Sequence, residues 1–143
     1  GPGTGADKDH TLNEVSRGKP VPVGDVYDEL QKWKFACTRL ATLAVHAPDP
    51  SVQLKALKTI ASRMVDVDQE VKFRYHGYLV SRGLSGGVAT QGQVDELWRY
   101  LSAESREFIG SKRQDDSVEA KLLAEAKASV AKYTTGRKHR VLR

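Results

Sequence analysis

Between Asp25 and Ala47 the apolar residues Val26, Leu30, Trp33, Cys37, Leu40 and Ala44 recur every three or four positions. That spacing collects them on one side of a helix but splits them between both faces of a strand. The segment can therefore bury a continuous surface only as a helix. Asp25, Asp28 and Glu29 lie in its first turn, where carboxylates complement the positive end of the helix dipole. Pro48 and Pro50 are expected to stop it near Ala47.

The same logic runs down the chain. Asp49-Pro50-Ser51 offers a capping side chain followed by proline at the first helical position, and Leu54, Leu57, Ile60, Ala61, Met64 and Val65 form the next stripe. Lys55, Lys58 and Arg63 project elsewhere and read as a solvated flank. Two continuations stay open: a helix running on through Tyr75, Tyr78 and Leu79, or a break around Asp66-Val67-Asp68. Residues 71–76 alternate apolar and basic side chains, as a strand would, yet Val71, Tyr75, Tyr78, Leu79 and Arg82 also fit a helix. Helix is preferred because a lone strand leaves its backbone groups unpaired.

Gly83, Gly86 and Gly87 mark a loop; Thr90 caps a helix carrying Val94, Leu97, Trp98 and Leu101; Ser102 opens a shorter one with Phe108 and Ile109. After a polar break from Ser111 to Asp116, Val118, Leu122, Ala126, Val130 and Tyr133 share a last face. Each helix has one apolar side and needs a neighbour. The expected fold is all-α: a compact bundle or orthogonal array of five to six helices over residues 25–135. Residues 1–24, rich in Gly and Pro, are expected to be a flexible arm or linker, with Lys19 to Val23 extended. Gly1-Pro2-Gly3 reads as a cleavage remnant and is left out of the fold reasoning. Residues 136–143 are expected to be a basic tail.

Several chemistries find no support. No apolar run approaches the ~20 residues of a membrane span, and no signal-peptide pattern is present. One cysteine, Cys37, forms no internal disulfide and points to a reducing, intracellular setting rather than a secreted one. Gly83-Leu84-Ser85-Gly86-Gly87 matches the bare G-x-S-x-G string of hydrolases, but that elbow belongs on a βαβ framework absent here. The same glycines lack the lysine of a phosphate-binding loop, leaving only a loose backbone anion site open. His10, His46, His76 and His139 stand at no metal-ligand spacing. The sequence implies no catalytic residue, metal or cofactor.

Charge is the remaining cue. Residues 1–70 hold nine Lys/Arg and ten Asp/Glu, whereas residues 71–143 hold fourteen and eight. Arg137, Lys138, Arg140 and Arg143 close the chain without an acid between them. Lys72, Arg74 and Arg82 are interleaved with Phe73, Tyr75, His76 and Tyr78. Cations beside rings able to stack on bases suit RNA or single-stranded DNA. Neither a helix-turn-helix signature nor an RNA-recognition-motif string is present. The expectation is a non-enzymatic domain that binds nucleic acid through Lys72, Arg74, Arg82, Arg137, Lys138, Arg140 and Arg143, with Tyr75 or Tyr78 stacking if exposed. Such a domain could self-associate in a nucleoprotein or coat-type complex. The alternative is a protein–protein adaptor with an incidental basic tail.

Overall fold

A helix stands where a flexible arm was expected. In the computed structural model, which describes residues 5–109 and 121–130, α1 spans Gly5–Ser16 and buries Thr11 and Val15. Its apolar content is too small to hold a helix in water unaided. It is held instead by α2 (Val26–Thr42). The indole of Trp33 donates to the Val15 carbonyl oxygen at 3.0 Å, satisfying one of the last carbonyls that α1 leaves without a helical partner. Arg39 pairs with Asp7 at 2.6 Å at the other end, so α1 and α2 run antiparallel. Between them the chain is extended through Pro22 (ψ 151°) and makes one 3₁₀ turn, Val23–Asp25.

Helix α2 buries Val26, Leu30, Trp33, Ala36 and Leu40, close to the stripe read from the sequence. It ends at Thr42, short of the proline stop. Val45 N–H returns to the Leu40 carbonyl and Ala44 N–H to that of Ala41, while Ala44 takes φ 56°. This is the Schellman closure that ordinarily uses glycine, here made by alanine.

Helix α3, Pro50–Ile60, starts as expected: the Asp49 carboxylate accepts from Ser51 N–H at 2.9 Å, with proline in the first turn. Its buried Gln53 exchanges amide hydrogen bonds with Gln91 at 3.0 and 2.9 Å, joining the start of α3 to the start of α6. The helix breaks at Ala61; a single turn, α4 (Ser62–Val65), follows. Asp68 then caps α5, Gln69–Ser81, by accepting from Val71 N–H. Residues 71–76 are thus helical, and the chain contains no strand among the described residues.

The Gly83 string has a structural origin. Gly83 takes φ 68°, Leu84 N–H bonds back to the Leu79 carbonyl at 2.7 Å, and the Leu84 side chain is wholly buried. Gly83 supplies the left-handed residue that ends α5, and Leu84 the apolar plug that accompanies such an ending. Helix α6, Gln91–Arg106, opens with a reciprocal capping box between Thr90 and Gln93. It runs unbroken past Ser102, which is buried inside it and accepts from Gln31 rather than capping a new helix. Trp98 donates to the Leu30 carbonyl at 2.9 Å and fixes α6 on α2. The core lies where α2, α3 and α6 meet, filled by Leu30, Leu54, Leu57, Met64, Leu97 and Leu101.

The chain divides into two units, Gly1–Ile109 and Gly110–Arg143. Of the second, residues 121–130 are described and form a helix exposed along its length. With α1 to α6 this makes seven α-helices among the described residues, above the expected five to six. The surplus comes from α1 and the break at Ala61. No described helix is long and apolar enough to cross a membrane.

Two substitutions test these contacts. Val15→Ala is expected to lower the unfolding free energy by about 2 kcal/mol in urea titration, a loss no flexible arm would give. Ala44→Gly is expected to raise stability by about 0.5–1 kcal/mol, because relief of the left-handed penalty exceeds the added chain entropy.

Candidate nucleic-acid interface

The residues singled out on α5 do not form an open cationic surface. Lys72 lies 3.7 Å from Asp66, Arg82 lies 3.4 Å from Glu96, and Arg74 bonds both Glu70 at 2.9 Å and Glu104 at 3.0 Å. The hydrogen bond to Glu104 raises the Arg74 guanidinium above its ordinary value. Exposed pairs of this kind are individually weak, but a phosphate would have to displace a carboxylate at each one.

The aromatic rings are committed as well. Tyr75 is buried in the core. Tyr78 stacks on Tyr100 at 4.2 Å between centroids, and the Arg82 guanidinium sits 5.5 Å from the centroid of the same ring. Tyr75 therefore has no exposed face to offer a base, and Tyr78 is already in contact with Tyr100 and Arg82. The rings join α5 to α6. Arg137, Lys138, Arg140 and Arg143 lie outside the described residues.

A different set of cations has no carboxylate partner among the described residues. The first unit carries fourteen Lys/Arg and fourteen Asp/Glu over residues 1–109, so its formal charge is zero. Against that neutral background, Arg17, Lys55 and Lys58 line one cleft of about 910 Å³. No carboxylate is among its described lining residues. Arg17 and Lys55 have no ion pair among the described residues. Three segments build the cleft: the end of α1 at Ser16 to Gly18, the outer side of α3, and the loop at Ser85 to Gly87.

Each segment is placed for a local reason. On α3, Ser51, Lys55, Lys58 and Thr59 follow the i, i+4, i+7, i+8 spacing of one helix face, adjacent to the buried Leu54 and Leu57. Gly18 approaches α3 so closely that a Cβ would lie 2.1 Å from the Ala56 carbonyl oxygen. Lys58 Nζ donates to the Leu84 carbonyl at 2.6 Å and the Gly86 carbonyl at 3.3 Å, holding the glycine loop against α3. Burial lowers the Lys58 ammonium from its ordinary value. An ammonium has three N–H groups, so one remains beyond these two carbonyls.

In the sequence, Lys55 and Lys58 read as a solvated flank, and nothing there places Arg17 beside them. The available signal was the row Ser51, Lys55 and Thr59 at i, i+4, i+8, free of acids. Ser85 is exposed on the loop. Cys37 is half-buried, and desolvation outweighs the nearby Lys34 and pushes its thiol up to about 11. Among the described residues no three His, Cys, Asp or Glu side chains converge. No protein-family model matches the chain, and neither a curated protein nor a solved structure matches it at a significant level.

The aromatic layer makes a titratable prediction. Burial, with Tyr100 alongside, pushes the Tyr75 phenol up to about 12. In the unfolded chain the same phenol ionises near 10. Its contribution to stability is therefore complete below pH 10 and is lost as pH rises toward about 12. A spectrophotometric titration is expected to contain a late phenolate step that disappears in Tyr75→Phe.

Proposed function

We propose that this protein binds nucleic acid without catalysis, taking single-stranded RNA or DNA in preference to duplex. The observation that carries the reading is the cleft at Arg17, Lys55 and Lys58: three cations and no carboxylate among its described lining residues, in a unit of zero formal charge. A concave cation site concentrates the potential that attracts a polyanion. Its concavity favours a strand with splayed nucleotides over the convex surface of a duplex. Val52, partly exposed on the same lining, gives an unstacked base an apolar contact beside the cations. The closing cluster Arg137, Lys138, Arg140 and Arg143 adds attraction that depends on charge alone. In this reading Lys72, Arg74 and Arg82 contribute to the distant field, and Tyr75 and Tyr78 serve the fold.

A second reading, a protein-binding adaptor, draws on one observation. Phe73 and Val80 are 81% and 71% exposed and lie with Gly77 on the side of α5 opposite the buried Val71, Tyr75 and Leu79. That helix is apolar on two sides, and its outer side suits a protein partner.

Fluorescence anisotropy with an oligouridylate across a salt series separates the two. Affinity is expected to fall steeply with salt, and Lys55→Glu to weaken binding about tenfold and flatten the logarithmic salt slope by about 0.7 per lost phosphate contact. Phe73→Asp should leave this binding unchanged. Salt-independent binding, or equal affinity in Lys55→Glu, would remove the cleft from the reading.

A further inference from the structure

We infer that the strand-binding site does not end at the first cleft but continues over Arg17 and Gly18 into a second one, so that one single strand occupies both. This extension rests on the nucleic-acid reading of the first cleft. The second cleft, about 350 Å³, is bordered by α1 and α2 and includes Asn13, Lys19, Lys32 and Trp33 in its lining. Arg17 and Gly18 line both clefts.

The junction is what makes the two continuous. Gly18 has no side chain, and its backbone lies against that of Ala56, where a Cβ would fall 2.1 Å from the carbonyl oxygen. That contact leaves no room between Gly18 and α3, so the passage from one cleft to the other runs along Arg17. Arg17 beside it is exposed, has no ion pair among the described residues, and carries a planar fork of donors suited to phosphate. Beyond it, Lys19 and Lys32 are also exposed and without ion pairs among the described residues. The cations thus follow one another as Lys32 and Lys19, then Arg17, then Lys55 and Lys58. A row of this kind tracks a phosphate backbone.

The two halves differ in chemistry. The second cleft also contains Glu14 and Glu29, and Glu14 lies 3.1 Å from the His10 imidazole. Two carboxylates beside three cations make this half a weaker phosphate site than the first, which has none among its described lining residues. Occupancy starts at the first cleft, and the second adds affinity only when the strand is long enough to cross Arg17. Length dependence is the signature of a second site reached through the same strand.

The test is an anisotropy series at low salt with oligouridylates from a dinucleotide upward. It compares the intact chain, the Lys19→Glu/Lys32→Glu double variant, its Lys19→Gln/Lys32→Gln counterpart and Lys55→Glu. All four keep residues 136–143, so the tail contributes equally throughout. The expected result is that lengthening the strand tightens binding to the intact chain by about tenfold and then levels off. Both double variants should lose that gain while binding the dinucleotide as the intact chain does, and Lys55→Glu should weaken every length. Equal affinity of the double variants and the intact chain for the long strand overturns the extension and leaves the first cleft standing. Failure of the intact chain to bind any length overturns both readings.

Discussion

The hydrogen bond from the Trp33 indole to the Val15 carbonyl, 3.0 Å long and buried, decides where the beginning of the chain goes. Trp33 is a core residue of α2, so its ring is placed by packing against the rest of the core. The N–H it carries must then be satisfied inside the protein, because an unpaired buried donor costs about 1–3 kcal/mol. The carbonyl that answers it belongs to the last turn of α1. Beyond that turn, Ser16, Arg17 and Gly18 lie against α3, and the first cleft acquires its wall.

Elements whose causes are local were legible in advance. The stripe of α2, the Asp49-Pro50 start of α3 and the Thr90 cap of α6 each depend on residues within a few positions of one another. Helix α1 was not legible, because its partners for docking lie on α2 and its own sequence is dominated by polar residues. Ser102 misled for a related reason. A serine ahead of a polar stretch resembles a cap, but its hydroxyl is buried and bonded to Gln31, far away in sequence. The glycine string at 83–87 was legible as a loop; that Leu84 would plug the core, and Gly83 close α5, required knowing where Leu79 pointed.

The candidate surface was harder to read because sequence proximity gathers charges that folding then neutralises. Lys72, Arg74 and Arg82 have no acid between them in the chain, yet Asp66, Glu96 and Glu104, all from outside α5, pair with them. Tyr75 and Tyr78 looked like a stacking platform until Tyr100 on α6 was brought against them. The reverse holds for Arg17, Lys55 and Lys58. Lys55 and Lys58 share one face of α3, and Arg17 joins them only because the end of α1 docks beside it. A count of charges along the chain therefore finds the cations that folding pairs with carboxylates and passes over those it does not.

Lys58 shows why the fold and the cleft are hard to separate. Its ammonium is partly desolvated by the same loop it restrains, with two N–H groups on backbone carbonyls. A solvated surface lysine must shed water when it meets a phosphate, and that desolvation offsets much of the attraction. At Lys58 part of the water has already been displaced during folding, with the Leu84 and Gly86 carbonyls in its place. An anion entering the cleft would meet a charge that is partly, not fully, removed from water, so the interaction gains only modestly over an open surface. The space around Gly86 and Gly87 is open, since an added Cβ there would meet nothing within 4 Å. The lysine that secures the loop is thus also one of the three cations of the cleft, and removing it would disturb both at once. For that reason Lys55, exposed and uninvolved in the loop, is the cleaner residue on which to judge binding.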